Sequence, residues 1–426
     1  MSGAPPRRSG GAARPRGFAD DGRVTVPAPA LTLQLVASMA AVDVQAWDGL
    51  LARQRTPTPF LRHAYLAALE ASASACAATG WSPHYALLHQ GEELVGACAL
   101  YLKAHSRGEY VFDWAWADAY ARHGLAYYPK ALVAVPFTPV PGSRLLARDG
   151  ACRGALLGAL LAWAKASGLS SLHLLLGDED DTTTARAAGL LVRSQVQFHW
   201  HNRHPHEERR FTGFDDFLAS LTQDKRKKIR QERRRVADAG VGFRVLEGAA
   251  IGTAEWDFFY RCYQRTYHEH GNAPYLTRDF FTRVQASMPG VWTLFVAERA
   301  GRPIASSLIA SSALPTSAPS GGEPQELVAY GRYWGALERV DGLHFEACYY
   351  QPLAWCIARG AARFEGGAQG EHKLARALLP TPTHSAHWIA RPEFARAIAQ
   401  FVDEEGAQTA RYLQALARHS PFRQIG

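Results

Sequence analysis

Cysteine is scarce in this 426-residue chain, and its spacing excludes two architectures at once. Cys76, Cys98, Cys152, Cys262, Cys348 and Cys356 form neither a CxxC pair nor a CxxC–HxxxH pattern. That speaks against a disulfide framework and a structural zinc site. Long apolar runs are missing too. A membrane helix needs ~18–20 residues, and the best early candidate, 31–42, is interrupted by Thr32, Gln34 and Ser38. Arg7-Arg8 lies too far from that run, with no cleavage pattern after it, to read as an export signal. A cytoplasmic chain is therefore expected. No GxSxG, GxxxxGK[ST] or HExxH occurs, which removes the usual serine-hydrolase, P-loop and zincin signatures.

Charge is present but concentrated. Net charge is +8, yet residues 225–235 hold eight Lys/Arg against Glu232, a local +7. The first thirty residues hold five Arg against two Asp, a local +3, which leaves the remainder at −2. The composition of 1–30 offers little to bury and predicts a disordered tail. In Asp224–Val236, Ile229 and Val236 share a narrow helical face with Leu218 and Leu221, and charges cover the rest. Such a helix either binds phosphates through Lys225, Arg226 and Arg230, with salt sensitivity, or is a solvated surface. No aromatics interleave, so it is not a base-stacking motif.

Two halves follow one plan. Strand, tight turn and strand are predicted over 84–89 and 94–101 around Gln90-Gly91, and over 291–297 and 304–309 around Ala300-Gly301. Each hairpin leads into a further extended run (131–140; 326–337), an apolar helix stopped by Gly168 or Gly360, and a closing strand (171–176; 362–365). The pattern predicts two α/β domains of one kind, 31–205 and 206–426, with 312–325 as a loop. Pro352 lies inside the second helix. Either the helix kinks there, or it starts near Gln351 with 343–349 extended.

Rings, histidines, carboxylates and glycines concentrate in 330–388. Tyr333 and Trp334 follow Gly331. His344, Glu346, Tyr349 and Gln351 come next, then Glu365, a glycine bend with Gln369, and Glu371, His372, Lys373 and Arg376. Such side chains move protons, and a carboxylate at a strand end beside glycines is placed to face a cleft. The competing reading is an ion-pair network bracing the bend. His384 and His387 read as hydrogen-bonded histidines, and no metal is expected. Cys348 and Cys356 read as buried thiols. The aromatic run Tyr110–Tyr128 is either a groove or an interface.

These residues carry a resemblance. Lys225–Gly240 resembles the helix opening the second domain of the Fem-type peptidoglycan aminoacyltransferases, a family with tandem GNAT folds. The stretches 343–351, 367–373 and 383–388 look like a bacterial family of GNAT-like N-acyltransferases linked to peptidoglycan biosynthesis or recognition. The resemblance implies mixed-sheet α/β architecture and acyl or aminoacyl transfer to a small-molecule amine. It implies Glu365 or Glu371 as base, His372 or Tyr349 assisting the leaving group, and amides near Gly331 or Gly335 holding the oxyanion. Donor and acceptor would be held by the remaining polar residues of this stretch. The implied donor is acyl-CoA or an aminoacyl-tRNA. A loop for the pyrophosphate of CoA is matched only loosely, by Pro141-Gly142-Ser143-Arg144 in the first half. A non-catalytic binder of RNA or of a cell-wall precursor is the rival on the same fold.

Overall fold

Two sheets carry the chain in the computed structural model, which describes residues 30–312, 326–367, 370–418 and 420–423. The expected tail at 1–30 falls outside them except for Ala30, as does the expected loop at 312–325 except for Ser312. The smaller sheet is antiparallel, in the order Leu31–Val36, Tyr85–Gln90, Glu93–Cys98, Leu146–Ala147. The larger has eleven strands. From one edge these are Val241–Glu247, Trp292–Arg299, Arg302–Ser311, Val328–Ala336, Arg363–Glu365 and Leu191–His201. Leu379–Ile389, Ser171–Gly177, Lys130–Val133, Leu100–Lys103 and Trp81–Pro83 complete it. The fold class is thus the expected mixed-sheet α/β.

The two halves are stitched by an exchange of strands. Leu191–His201 leaves the first half to pair with Arg363–Glu365, and Leu379–Ile389 pairs back onto Ser171–Gly177. Leu191–His201 and Leu379–Ile389 also pair along nine residues with each other. Parallel pairs need a crossover, and each half supplies one. Helix Gly150–Ala166 joins Lys130–Val133 to Ser171–Gly177, and the 343–358 helix joins Val328–Ala336 to Arg363–Glu365.

Several expected elements are trimmed for identifiable reasons. The extended run 131–140 is a strand only to Val133, because Pro136 and Pro139 cannot donate to a ladder. The run 94–101 divides at Ala99, one piece entering each sheet. The second hairpin turns on Ala300 and Gly301, both with positive φ (49° and 73°), the geometry that suits strand twist.

Pro352 stands in the first turn of the α-helical segment Gln351–Ala358, as one alternative expected, but 343–349 is not extended. Residues 343–350 are helical, but Glu346–Tyr350 is a π turn closed by the Gln351 N–H on the Glu346 carbonyl. In that register the Ala347 carbonyl would look to residue 352, which has no N–H. The Ser307 hydroxyl of the neighbouring strand donates to it instead (2.5 Å). The wide turn thus accommodates the missing donor of the proline.

Gly335 marks where helix Thr253–Glu269 lies directly on the sheet. A Cβ there would stand 2.0 Å from the Cys262 carbonyl oxygen. Backbone cannot swing aside as a side chain does, so Gly335→Ala is expected to lose about 3 kcal/mol or more in urea unfolding. A loss below about 1 kcal/mol would show that the helix can lift off.

Candidate active site

Pairing between Val328–Ala336 and Arg363–Glu365 ends at Tyr330↔Glu365, while the longer strand runs on to Ala336. The freed edge, Gly331–Trp334, borders a cavity of about 400 Å³. Tyr110, Phe137 and Pro139 of the first half line it together with Tyr263, Tyr267 and Tyr275, and the Phe137 and Tyr275 rings stack at 4.8 Å. Two of the anticipated residues, Tyr333 and Trp334, line it, as does Gly367.

Behind Trp334 and Gly367 stands a cluster of proton carriers. The Trp334 and His344 rings meet edge to face at 5.5 Å, and His344 meets Tyr349 at 5.8 Å. The Tyr349 hydroxyl shares a hydrogen bond with His372 Nε2 (3.0 Å). Lys373 Nζ donates to the Gly367 carbonyl (2.8 Å). The His372 side chain is exposed to solvent, and partial desolvation, then the charges of Arg376 and Lys373, hold it below the ordinary histidine range. Burial, assisted by His372, Arg376 and Lys373, brings His344 down to about 4, and burial brings Lys373 to about 8. Neutral imidazoles beside a softened ammonium are what proton transfer near neutrality requires.

Arg376 locks this cluster to the basic helix, Gln223–Asp238. Its guanidinium lies 3.5 Å over the Phe345 ring, donates to the His372 carbonyl (2.7 Å) and pairs with Glu232 (2.8 Å). Glu232 also accepts from the Tyr350 hydroxyl. In the sequence Glu232 is merely the odd acid in a basic run. Its burial among Ile229 and Val236 on the inward face is the one signal that could have flagged it.

Other anticipated residues are placed elsewhere. Glu365 is 3% exposed, held by Arg363 (2.8 Å), and its Oε2 lies 3.9 Å from His199 with no hydrogen bond among the described residues. Burial raises its pKa. Glu346 pairs with Arg233 and accepts from Gln351 (3.1 and 2.7 Å). Both face a groove beside the basic helix that Arg230 also lines. Lys225 and Arg226 are partly buried and Arg230 is exposed on that helix. Gln369 and the side chain of Glu371 lie outside the description. Gly335 is taken up by helix packing, so of the two glycines only Gly331 borders the cavity.

The remaining motifs resolve separately. Tyr110 lines the cavity, whereas Asp113 and Tyr127 enter a buried network with Lys130, Glu109 and His173. His384 and His387 have different partners, Ser194 (3.1 Å) and His173 (2.7 Å). Burial raises the Cys348 and Cys356 thiols.

A cradle for the pyrophosphate of CoA does not fit the first half. The Arg144 and Leu145 amides already donate to the Asp181 carboxylate (2.5 and 3.1 Å). The amide of Cys152, in the first turn of the crossover helix, donates to Asp149 (2.8 Å). In the second half, Gly342 at the helix entry packs against the Glu232 carbonyl and Val236, so the basic helix covers the corresponding position. The loose sequence match at 141–144 is thereby closed to a pyrophosphate.

A family described as FemAB-like, peptidoglycan biosynthesis/recognition, matches residues 38–424. Among curated proteins, none matches the sequence. The chain is similar in structure to FemX (TM-score 0.51, 10% identity, 84% of this chain and 98% of that one). Further likenesses are to L-PGS from Bacillus licheniformis (0.49, 10%, 84% and 97%) and to a tandem GNAT protein from the clavulanic acid biosynthesis pathway (0.43, 13%, 85% and 99%). Among the described residues no helix is long and apolar enough to cross a membrane. With the matched model spanning most of its length and its fold that of FemX, the chain belongs to the FemAB-like peptidoglycan biosynthesis/recognition family.

Proposed function

We propose that the protein transfers an aminoacyl group from an RNA-borne ester to a small-molecule amine. The observation that carries this reading is the Glu232–Arg376 pair. It fastens the proton-carrying cluster to a helix on which Lys225, Arg226, Lys227, Lys228, Arg230, Arg234 and Arg235 have no carboxylate within 4 Å among the described residues. Unneutralised cations on so few turns repel one another, and an RNA backbone would relieve them while setting its 3′ end toward the cavity. The closed cradles described above count against acyl-CoA as the donor.

In this reading the amine nitrogen attacks the ester carbonyl, a C–N bond forms and the C–O bond to the RNA breaks. His372, neutral near pH 7, takes the proton of the attacking amine. The Tyr349 hydroxyl bonded to it relays a proton to the departing ribose oxygen. The bulge at Gly331–Tyr333 offers the backbone for the oxyanion. Glu365, shut in behind Arg363, supports the sheet end and takes no part as base.

Thermal stabilisation by bulk tRNA, CoA and acetyl-CoA at 50 and 200 mM salt tests the donor. A ligand at 100 times its Kd adds about 2.7 kcal/mol to the native state. We expect stabilisation by tRNA alone, with affinity falling by roughly 10³-fold or more across that salt range. Stabilisation by acetyl-CoA and not by tRNA would overturn the donor assignment. A salt-sensitive RNA complex that never discharges an aminoacyl-tRNA would favour the binding-protein reading.

A further inference from the structure

The cavity beside Trp334 holds a cation that no carboxylate among the described residues neutralises. Between Arg302–Ser311 and Val328–Ala336 the register jumps from Leu308↔Tyr333 to Ile309↔Gly331, so Arg332 faces no residue of the neighbouring strand. A bulge of this kind re-aims a side chain, and here it leaves Arg332 lining the cavity. Its Nη2 donates to the Phe137 carbonyl (3.0 Å), the Thr138 hydroxyl (3.2 Å) and the Tyr333 hydroxyl (2.9 Å). The guanidinium lies 4.9 Å from the Phe60 and Tyr333 ring centres.

No carboxylate lies within 4 Å of Arg332 among the described residues, and its Nε–H is shut from solvent with no partner there. The other enclosed arginines carry a carboxylate or a full set of carbonyls on the guanidinium, although Arg376 Nε is likewise buried without a hydrogen-bond partner among the described residues. Arg376 has Glu232, Arg193 has Glu405, and Arg233 has Glu346. Arg144 has no carboxylate on its guanidinium, but all three of its nitrogens donate to carbonyls. Leaving a charged group half-enclosed without a counter-charge is costly, and a ligand anion in the cavity, meeting the guanidinium at Nη1, which has no partner among the described residues, would offset that cost.

We propose that this cavity binds a monocarboxylate, with Arg332 as its anchor. Among the described lining residues Arg332 is the one permanent cation, with His270 beside it and no lysine, so one negative charge is balanced and a diphosphate is not. Planar guanidinium suits planar carboxylate. The walls are mainly tyrosines, Trp334, Phe137 and Pro139, with Thr266 and Asn272 among them, which suits an apolar body with polar groups at its margins. As a statement about the acceptor, the inference rests on the aminoacyl-transfer reading: the amine acted upon would carry a carboxylate, as an amino acid or a peptide end does. As a statement about binding, it stands without that reading.

The test is calorimetric titration of the full chain, with no donor present, using acid–amide pairs. N-acetylphenylalanine is compared with its amide, phenylacetate with phenylacetamide, and inorganic phosphate forms a third arm. We expect the acid of at least one pair to bind tenfold or more tighter than its amide. Arg332→Met is expected to erase that preference, and Arg332→Lys, which keeps the charge but loses the fork, to reduce it about tenfold. Unliganded R332M is expected to melt within about 2 °C of the parent, since the lost contacts are offset by relief of an unmet charge. If R332M does not fold, R332K decides. Equal binding of acid and amide, no binding of either pair, preference for phosphate, or an undiminished preference in R332K would each overturn the proposal. Carboxylate binding without aminoacyl transfer would sink the functional reading and leave this one standing. Transfer to amines lacking a carboxylate as fast as to amino acids would do the reverse.

Discussion

Arg376→Ala is expected to destabilise the protein by about 3–5 kcal/mol, the range for removing one partner of a buried ion pair. The arginine is 2% exposed and Glu232 9% exposed. Truncation leaves the Glu232 carboxylate facing Tyr350 alone and strips the guanidinium from the Phe345 ring. Glu232→Gln keeps a hydrogen-bond acceptor for Arg376 but abandons the charge, and is expected to cost less than R376A. In a double-mutant cycle, E232Q with R376A should lose clearly less than the sum of the two single changes, because the second change removes a charge already orphaned. Urea unfolding measures all three. A loss below about 1 kcal/mol for R376A would show the pair to be incidental. The basic helix would then have no firm tie to the proton-carrying cluster, and RNA bound on it would not be held against the site.

That tie also shows where sequence reading stops. Hairpins at Gln90-Gly91 and Ala300-Gly301 are legible because turn chemistry and alternation are local signals. Helix stops at Gly168 and Gly360 are legible for the same reason, each glycine lying in the left-handed region (φ 65° and 64°). The exchange of Leu191–His201 with Leu379–Ile389 is not legible. It depends on pairing across nearly two hundred residues, and polar residues such as Gln197, Thr383, Ser385 and His387 face inward there. His384 and His387, read in the sequence as hydrogen-bonded histidines, take their partners Ser194 and His173 from the strands on either side.

The candidate site is legible as a region and less so as a set. Trp334, His344, Tyr349, His372, Lys373 and Arg376 do converge. Glu365 attracts notice through its glycine bend, but its place between Arg363 and His199 follows from sheet pairing that no local pattern encodes. Arg332 is missed because a one-residue bulge has no sequence signature. A strand without it would treat position 332 like any other alternating residue.

His372→Ala is expected to lower kcat/KM for aminoacyl transfer by about 10²–10⁴, the usual contribution of a positioned general base. The pH profile separates catalysis from mere positioning. His372 titrates below the ordinary histidine value because partial desolvation and two neighbouring cations disfavour its charged form. The free base therefore predominates at pH 7, and activity should climb with pH through a point below 6.5 and then level. Lys373 loses its proton near 8. If its ammonium is needed to fix the Gly367 carbonyl, activity falls again above that value, giving a bell whose limbs belong to the free enzyme in kcat/KM. H372A should lose the acidic limb and keep the basic one. Tyr349→Phe should keep both limbs, because His372 still titrates, and lower the plateau alone. An H372A enzyme that retains the acidic limb would assign proton removal to another group. An unchanged rate would leave the 344–376 cluster as architecture.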